Sequence, residues 1–185
     1  MRIITGKVKG LKLKAPKGFS TRPTADRVKE SVFNVLNGMI DFDEVKQVLD
    51  VFAGTGSLGL ESLSRGASAV TFIDFATTEI ISENVKRAKF SDVTKILRGD
   101  FAKALKKIST EQTKFDLIFI DPPYKKNLAE KTLELIADFE LLNESGLIVV
   151  EHGADEIIDT KNFNSIRKIT YGRTTAVEFL VMKSD

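Results

Sequence analysis

The sequence predicts an α/β protein: a doubly wound, mostly parallel sheet closed by an antiparallel hairpin at its C-terminal end. Three observations carry this. From residue 46 onward, short apolar runs alternate with segments of helical periodicity, and strands separated by helices require right-handed parallel crossovers. A glycine-rich turn, Gly54-Thr55-Gly56-Ser57-Leu58-Gly59, follows the first of these runs. Near the end, two extended runs flank Gly172-Arg173, which is the pattern of a hairpin rather than of a crossover.

Each element follows in order. Ile3, Ile4, Val8, Leu11 and Leu13 are interleaved with Lys7, Lys9, Lys12 and Lys14, and Lys9-Gly10 is a turn signal, so residues 1–14 read as a basic hairpin. Residues 15–21, with Pro16 and Gly18, read as a loop. Thr24 is a candidate N-cap with Asp26 in the first turn. Val28, Val32, Val35, Leu36 and Met39 then recur at helical spacing until Gly38 weakens the end. Residues 48–52 form the first strand of the body, interrupted by Asp50. The helix after the glycine turn runs to Arg65, with Gly66 as its stop. Residues 69–75 are the second strand, and Thr78 caps a helix with Ile80, Ile81, Val85 and Ala88 on its apolar side. Residues 94–97 are the third strand and 101–108 a Lys-rich helix. Residues 115–120 (FDLIFI) are a strongly apolar fourth strand, followed by a helix over 127–137. The turn signal Glu144-Ser145-Gly146 precedes a fifth strand over 147–150, and 165–171 with 174–182 make the closing hairpin. Two units result: residues 1–45, a basic hairpin and helix, and residues 46–185, the sheet.

The 185 residues suit one domain of ordinary size, or one with a small appendage. With 42% hydrophobic and 29% charged residues, a disordered chain is excluded. The chain has no cysteine, which excludes a disulfide scaffold, a thiolate zinc site and a cysteine nucleophile. His152 is the single histidine, so a multi-histidine metal site is excluded too, and no metal is expected. No apolar run approaches the roughly 20 residues of a membrane span, and MRIITGKVKG has no apolar core of a secretory signal; a cytoplasmic location is expected.

The net charge of +2 is unevenly spread. Residues 1–30 carry nine Lys or Arg against Asp26 and Glu30, a local charge of +7, which leaves −5 on the rest. A basic segment on an acidic body points to a polyanionic partner at one end, although a solvated basic hairpin is the simpler alternative.

Two constellations carry chemistry. The glycine turn after the first strand lets backbone N–H groups approach a ligand with no Cβ in the way. Asp74 ends the second strand, twenty residues after Gly54, where a carboxylate can accept from both hydroxyls of an adenosine ribose. NAD and S-adenosylmethionine both suit this layout; a turn that serves only packing is the alternative. The second constellation, Asp121-Pro122-Pro123-Tyr124, follows the fourth strand. In a doubly wound order that strand neighbours the first, so its end opens onto the same crevice. Two prolines fix the backbone and leave outward carbonyls. Asp121 and the Pro122 carbonyl can each accept one hydrogen of an exocyclic amine, and Tyr124 can stack on the base. An amine held this way points its lone pair at an electrophilic methyl, which a dehydrogenase does not need.

Together with MRIITGKVKGLKL, the segment Arg22-Pro23-Thr24-Ala25-Asp26-Arg27-Val28-Lys29-Glu30, Phe33-Asn34 and DVFAGTGSLGLESLSRGA, these motifs resemble the class I S-adenosylmethionine-dependent amino-methyltransferases. The chain is similar in particular to the bacterial small-subunit (16S) ribosomal RNA guanine-N2 methyltransferases. The resemblance implies a Rossmann-like, seven-stranded sheet and a methyl transfer to a guanine N2 amine. It implies that Asp50 and the turn Ala53, Gly54, Thr55 and Gly56 line the methionine end of the cofactor, and that Asp74 holds the ribose. It also implies that Asp100 and Phe101 meet the adenine, and that Asp121, Pro122, Pro123 and Tyr124 hold the guanine. The family often has Glu at the ribose position and a second acid after it; here Asp74 is followed by Phe75 and Ala76. Lys7, Lys9, Lys12, Lys14 and Arg22 are expected on RNA phosphates, as are Lys125 and Lys126 beside the pocket. The expected partner is 16S rRNA, within the small subunit or an assembly intermediate, bound by a monomer.

Three other readings stay open on the residues alone. An N6-adenine DNA methyltransferase uses the same four residues, but this chain has no separate sequence-reading unit. A nicotinamide oxidoreductase needs a proton relay that is not evident. A nucleic-acid-binding module with a vestigial cofactor site conflicts with the intact Asp74, Asp100 and Asp121. His152, without an orienting partner in the sequence, reads as structural or surface.

Overall fold

The computed structural model describes residues 1–16, 23–123, 127–160 and 162–183. After α1 (Pro23–Leu36), strands and helices alternate: β1 (Gln47–Val51), α2 (Ser57–Arg65), β2 (Ala69–Asp74), α3 (Thr78–Ala88), β3 (Thr94–Arg98), α4 (Phe101–Thr110), β4 (Phe115–Ile120), α5 (Leu128–Asp138) and β5 (Leu142–Gly153). The chain then closes with β6 (Phe163–Tyr171) and β7 (Thr175–Met182).

These strands form one seven-stranded sheet in the order β3-β2-β1-β4-β5-β7-β6. The first five are parallel, and β7 runs antiparallel between β5 and β6. The winding reverses between β1 and β4, which places a crevice outside their carboxyl ends. The expected fold class is the observed one. Parallel strands are covered on both faces, and the core accordingly divides in two. Val48, Phe72, Phe119, Val149 and Phe179 pack against α1, α2 and α3. Leu49, Ile73, Ile118, Ile148 and Leu180 pack against α4 and α5. Ile3, Leu13, Val32, Phe33 and Leu36 belong to the first of these layers. Among the described residues no helix is long and apolar enough to cross a membrane.

One local expectation at the N-terminus holds and three others are corrected. The N-terminal segment is the expected hairpin in minimal form: Arg2 and Lys12 make an antiparallel bridge, Ile3 N–H donates to the Leu11 carbonyl and Leu13 N–H to the Met1 carbonyl. Other N–H groups of the segment reach α2: Ile4 and Thr5 donate to Glu61, Val8 to the Ser64 hydroxyl and Lys7 to the Ser64 carbonyl. Helix α1 begins at Pro23, so Thr24 lies inside it; proline's missing N–H has no partner to lose there. Helix α3 is preceded by Thr77 as its N-cap, with no side-chain cap bond from it. The acceptor is Asp74, whose Oδ1 receives the N–H groups of Ala76 and Thr77 at 2.8 Å. Finally, β5 has 12 residues, because the expected turn at Glu144-Ser145-Gly146 is absorbed as a register shift opposite Phe115/Leu117.

Candidate active site

The crevice is built from the ends of β1, β2 and β4 and the starts of the helices that follow. Its floor is the turn after β1. Phe52, Gly54 and Gly56 all have positive φ, at 63°, 57° and 75°. The turn is closed by Ala53 N–H donating to the Ile73 carbonyl and Gly56 N–H to the Ala53 carbonyl. Two glycines of the motif do different work. A Cβ on Gly59 would meet the Phe72 ring at 2.4 Å, so that glycine lets α2 pack on β2. A Cβ on Gly54 would meet nothing nearer than the Phe52 carbonyl oxygen at 3.9 Å. Gly54 therefore faces open space, as a position approached by a ligand should.

Asp74 ties this turn to the next. Its Oδ2 accepts from Gly54 N–H at 2.9 Å while Oδ1 accepts from Ala76 and Thr77. A carboxylate offers about four acceptor places, and three are filled by backbone. Asp50 lies under the turn, 1% exposed, with Oδ2 accepting from Gly59 N–H at 3.0 Å. Burial raises its pKa to about 8; the Gly59 N–H opposes the rise and the charge of Asp74 adds to it. Asp100 is exposed after β3 and N-caps α4 by accepting from Lys103 N–H at 3.1 Å. Next to it, the ring of Phe101 lies 5.0 Å from that of Phe52, tilted by 48°.

Asp121 stands at the mouth of the crevice after β4, with Pro122 buried and Pro123 exposed. Asp121 itself is exposed there. Desolvation first, then the charges of Glu151 and Asp50, hold its pKa well above the ordinary carboxylate range. Tyr124, Lys125, Lys126 and Arg22 lie outside the described residues.

Beside Asp121 is a cavity of about 490 Å³. Phe119, Val149 and Val177 of the sheet form one wall, Val28, Lys29 and Val32 of α1 another, and Ser57 and Leu58 of α2 a third. Asp121 and Glu151 open into it. Lys29 is 3% exposed and donates to the Arg2 carbonyl at 2.6 Å. Its ammonium is 3.6 Å from Glu61. Burial lowers its pKa, against the pull of Glu61 and Asp26.

The family model described as "Conserved hypothetical protein 95" matches residues 1–180. The chain belongs to this family. The YlbH protein of Bacillus subtilis is 40% identical over 178 residues, 94% of this chain and 95% of that one. Ribosomal RNA small subunit methyltransferase D of Haemophilus influenzae is 37% identical over 175 residues, 93% of this chain and 89% of that one. Among solved structures, the yhhF protein of Escherichia coli superposes with a TM-score of 0.83 at 31% identity, covering 100% of this chain and 99% of that one. The fold of the family is the Rossmann-like fold of class I methyltransferases.

The structure also brings forward residues that sequence reasoning passed over. Asn84, fully buried on α3, accepts from Lys14 N–H and donates to the carbonyls of Lys14 and Thr55. It thereby joins the basic leader to the glycine turn. An amide among the apolar positions of that helix was the available signal. Glu61, fully buried on α2, was similarly marked by its place in an apolar pattern. Phe52 and Glu151 carried no such mark. Lys7, Lys9 and Lys12 are exposed, and Lys14 is exposed and paired with Glu83. His152 is buried, its Nδ1 2.8 Å from the Gly153 carbonyl and its Nε2 3.2 Å from Glu178. Glu178 also accepts from Ser165 and Lys168, so His152 helps to tie β5, β7 and β6 together.

Proposed function

We propose that this protein transfers a methyl group from S-adenosylmethionine to the exocyclic N2 amine of a guanine in small-subunit (16S) ribosomal RNA. One observation carries the reading. Asp121 stands at the crevice that holds the glycine turn and opens directly into a cavity that Ser57 and Leu58 of the same glycine motif also line. A cofactor place and an acceptor place thus meet at one carboxyl group. The name of the Haemophilus influenzae relative supports ribosomal RNA as the substrate, and the exposed Lys7, Lys9 and Lys12 support a phosphate-rich partner.

The residues fit the cofactor. Gly54 leaves open space where a Cβ would stand. Asp74 keeps about one acceptor place beyond the three filled by backbone, enough for one ribose hydroxyl. Asp100 and Phe101 stand at the next strand end for the adenine, while Asp50 braces the turn from below. Bound there, S-adenosylmethionine supplies a methyl group made electrophilic by a sulfonium. The chain's part is positioning. Asp121 and the Pro122 carbonyl accept the amine hydrogens, orient the nitrogen and stabilise the positive charge that grows on it. No base is required, since the amine becomes acidic once methylated and sheds its proton afterwards.

The test is methyl transfer from labelled cofactor into small subunits of a strain lacking the enzyme, followed by nucleoside analysis. N2-methylguanosine is expected. Labelled N6-methyladenosine would replace this reading with an adenine-directed one, and no transfer into RNA would overturn it. Thermal stabilisation by S-adenosylmethionine but not by NAD checks the cofactor separately.

A further inference from the structure

A second carboxylate shares the cavity with Asp121. Glu151 lies near the end of β5, next to β4, where Ile120 pairs with Val150. Alternate residues of a strand share a face. Phe119 and Val149 lie together in the core layer under α1 and α2, so Asp121 and Glu151, two residues further along each strand, continue that face into the same cavity. Their closeness is also felt electrostatically: the charge of Glu151 contributes to holding the proton on Asp121.

A single acceptor explains how an amine is held, but every amino-bearing base offers an amine. What separates guanine is the neighbouring ring nitrogen. Guanine presents a donor, N1–H, beside its N2 amine. Adenine and cytosine present a lone pair beside theirs. Two adjacent acceptors therefore match guanine and oppose the others with an unpaired lone pair, a strong way to discriminate once the bound base itself excludes water from the pair. We propose that Glu151 accepts the N1–H of the target base while Asp121 accepts from its N2 amine, so that Glu151 sets the selectivity for guanine. This rests on the guanine-N2 reading above.

The test uses the full-length enzyme and small subunits reconstituted with guanine or 2-aminopurine at the mapped target. 2-Aminopurine keeps the N2 amine but has a lone pair at N1. Wild type should favour guanine strongly in kcat/KM. In Glu151→Gln the amide can donate to the lone pair, and the preference should fall by about tenfold or more, with the affinity for S-adenosylmethionine unchanged. If wild type and E151Q both form N2-methylguanosine with the same preference, the role of Glu151 is overturned while the function stands. If wild type forms no N2-methylguanosine, the function itself is overturned and this inference with it. Should E151Q not fold, Glu151→Asp keeps the charge but shortens the reach. It should lower kcat/KM on guanine about tenfold at unchanged cofactor affinity, and unchanged turnover would overturn the assignment.

Discussion

Asp50, Asp74 and Asp121 carry the same side chain into three environments, and the environments decide what each does. Asp121 faces the cavity, so Asp121→Ala should abolish turnover while cofactor affinity stays close to wild type. Asp121→Asn should keep partial activity, since its amide oxygen still accepts. Turnover of the alanine variant within about threefold of wild type would remove Asp121 from the chemistry. Its raised pKa gives a second check. The ionised form is the stronger acceptor for a nitrogen gaining charge, so kcat/KM should climb with pH through an apparent pKa above the usual carboxylate range. In Asp121→Asn that climb should vanish. For Asp50 the readout is stability. Its folded pKa of about 8 lies above the unfolded value, so the folded state holds an extra proton between about pH 4 and pH 8. The contribution of Asp50 to stability therefore falls as pH rises across that window. Asp50→Asn should gain on wild type in thermal melts taken from about pH 5 to about pH 8, and parallel curves would contradict the assignment. Asp74 holds three backbone N–H groups. Asp74→Ala should weaken S-adenosylmethionine binding by about 1–3 kcal/mol and also lower the melting temperature. Calorimetry showing full affinity would place the ribose elsewhere.

Among the elements, α2 is the most heavily used. Its N-terminal end carries the glycine turn, one side packs on β2, and its polar residues Glu61 and Ser64 grip the N-terminal segment. Glu61 is fully buried and receives Ile4, Thr5 and Arg65 by hydrogen bonds and Lys29 by charge. Arg65 is 6% exposed and lies 4.8 Å from the Phe33 ring. Removing Glu61 leaves two buried cations without their shared carboxylate. Glu61→Ala should cost about 3–5 kcal/mol in denaturant unfolding, with the N-terminal segment more open to protease. A loss below about 1 kcal/mol would mean that Lys29 and Arg65 reach water or find other partners. Because Lys29 also lines the cavity, the variant should lose RNA methylation beyond its loss of fold.

At the scale of the whole molecule, charge and shape point the same way. The basic leader lies against α2 and α3, on the side of the sheet that α1 covers, and α1 walls the cavity beside Asp121. RNA phosphates held by the leader would therefore place a target base near that opening. Replacing Lys7, Lys9 and Lys12 with alanine should weaken RNA binding and flatten its salt dependence by roughly 0.7 per lost contact on single strands, with cofactor affinity unchanged. Adding Lys14→Ala should contribute less, because Glu83 already engages that ammonium. Wild-type methylation of subunits by the triple variant at moderate salt would make the leader purely structural.

The fold was legible because its signals are local. FDLIFI can be read as a buried parallel strand from six consecutive residues, and the observed β4 has those bounds. Gly66 stops α2 as its position in the sequence says. The aspartates at the ends of successive strands were legible for the same reason: alternation fixes where strands end, and winding order fixes which ends converge. What the sequence left out depended on partners far along the chain. The leader is the hairpin it resembles, but what anchors it is Glu61 and Ser64, more than fifty residues away, which take N–H groups it does not use itself. The signal at Glu144-Ser145-Gly146 reads as a turn that ends a segment, yet Leu142 and Leu147 on either side both pair with β4, so β5 continues across it as a bulge. Glu151 and Lys29 carry no local mark of function. They come together only when β4 and β5 pair and α1 closes over them, since a cavity belongs to packed elements and not to any one segment of sequence.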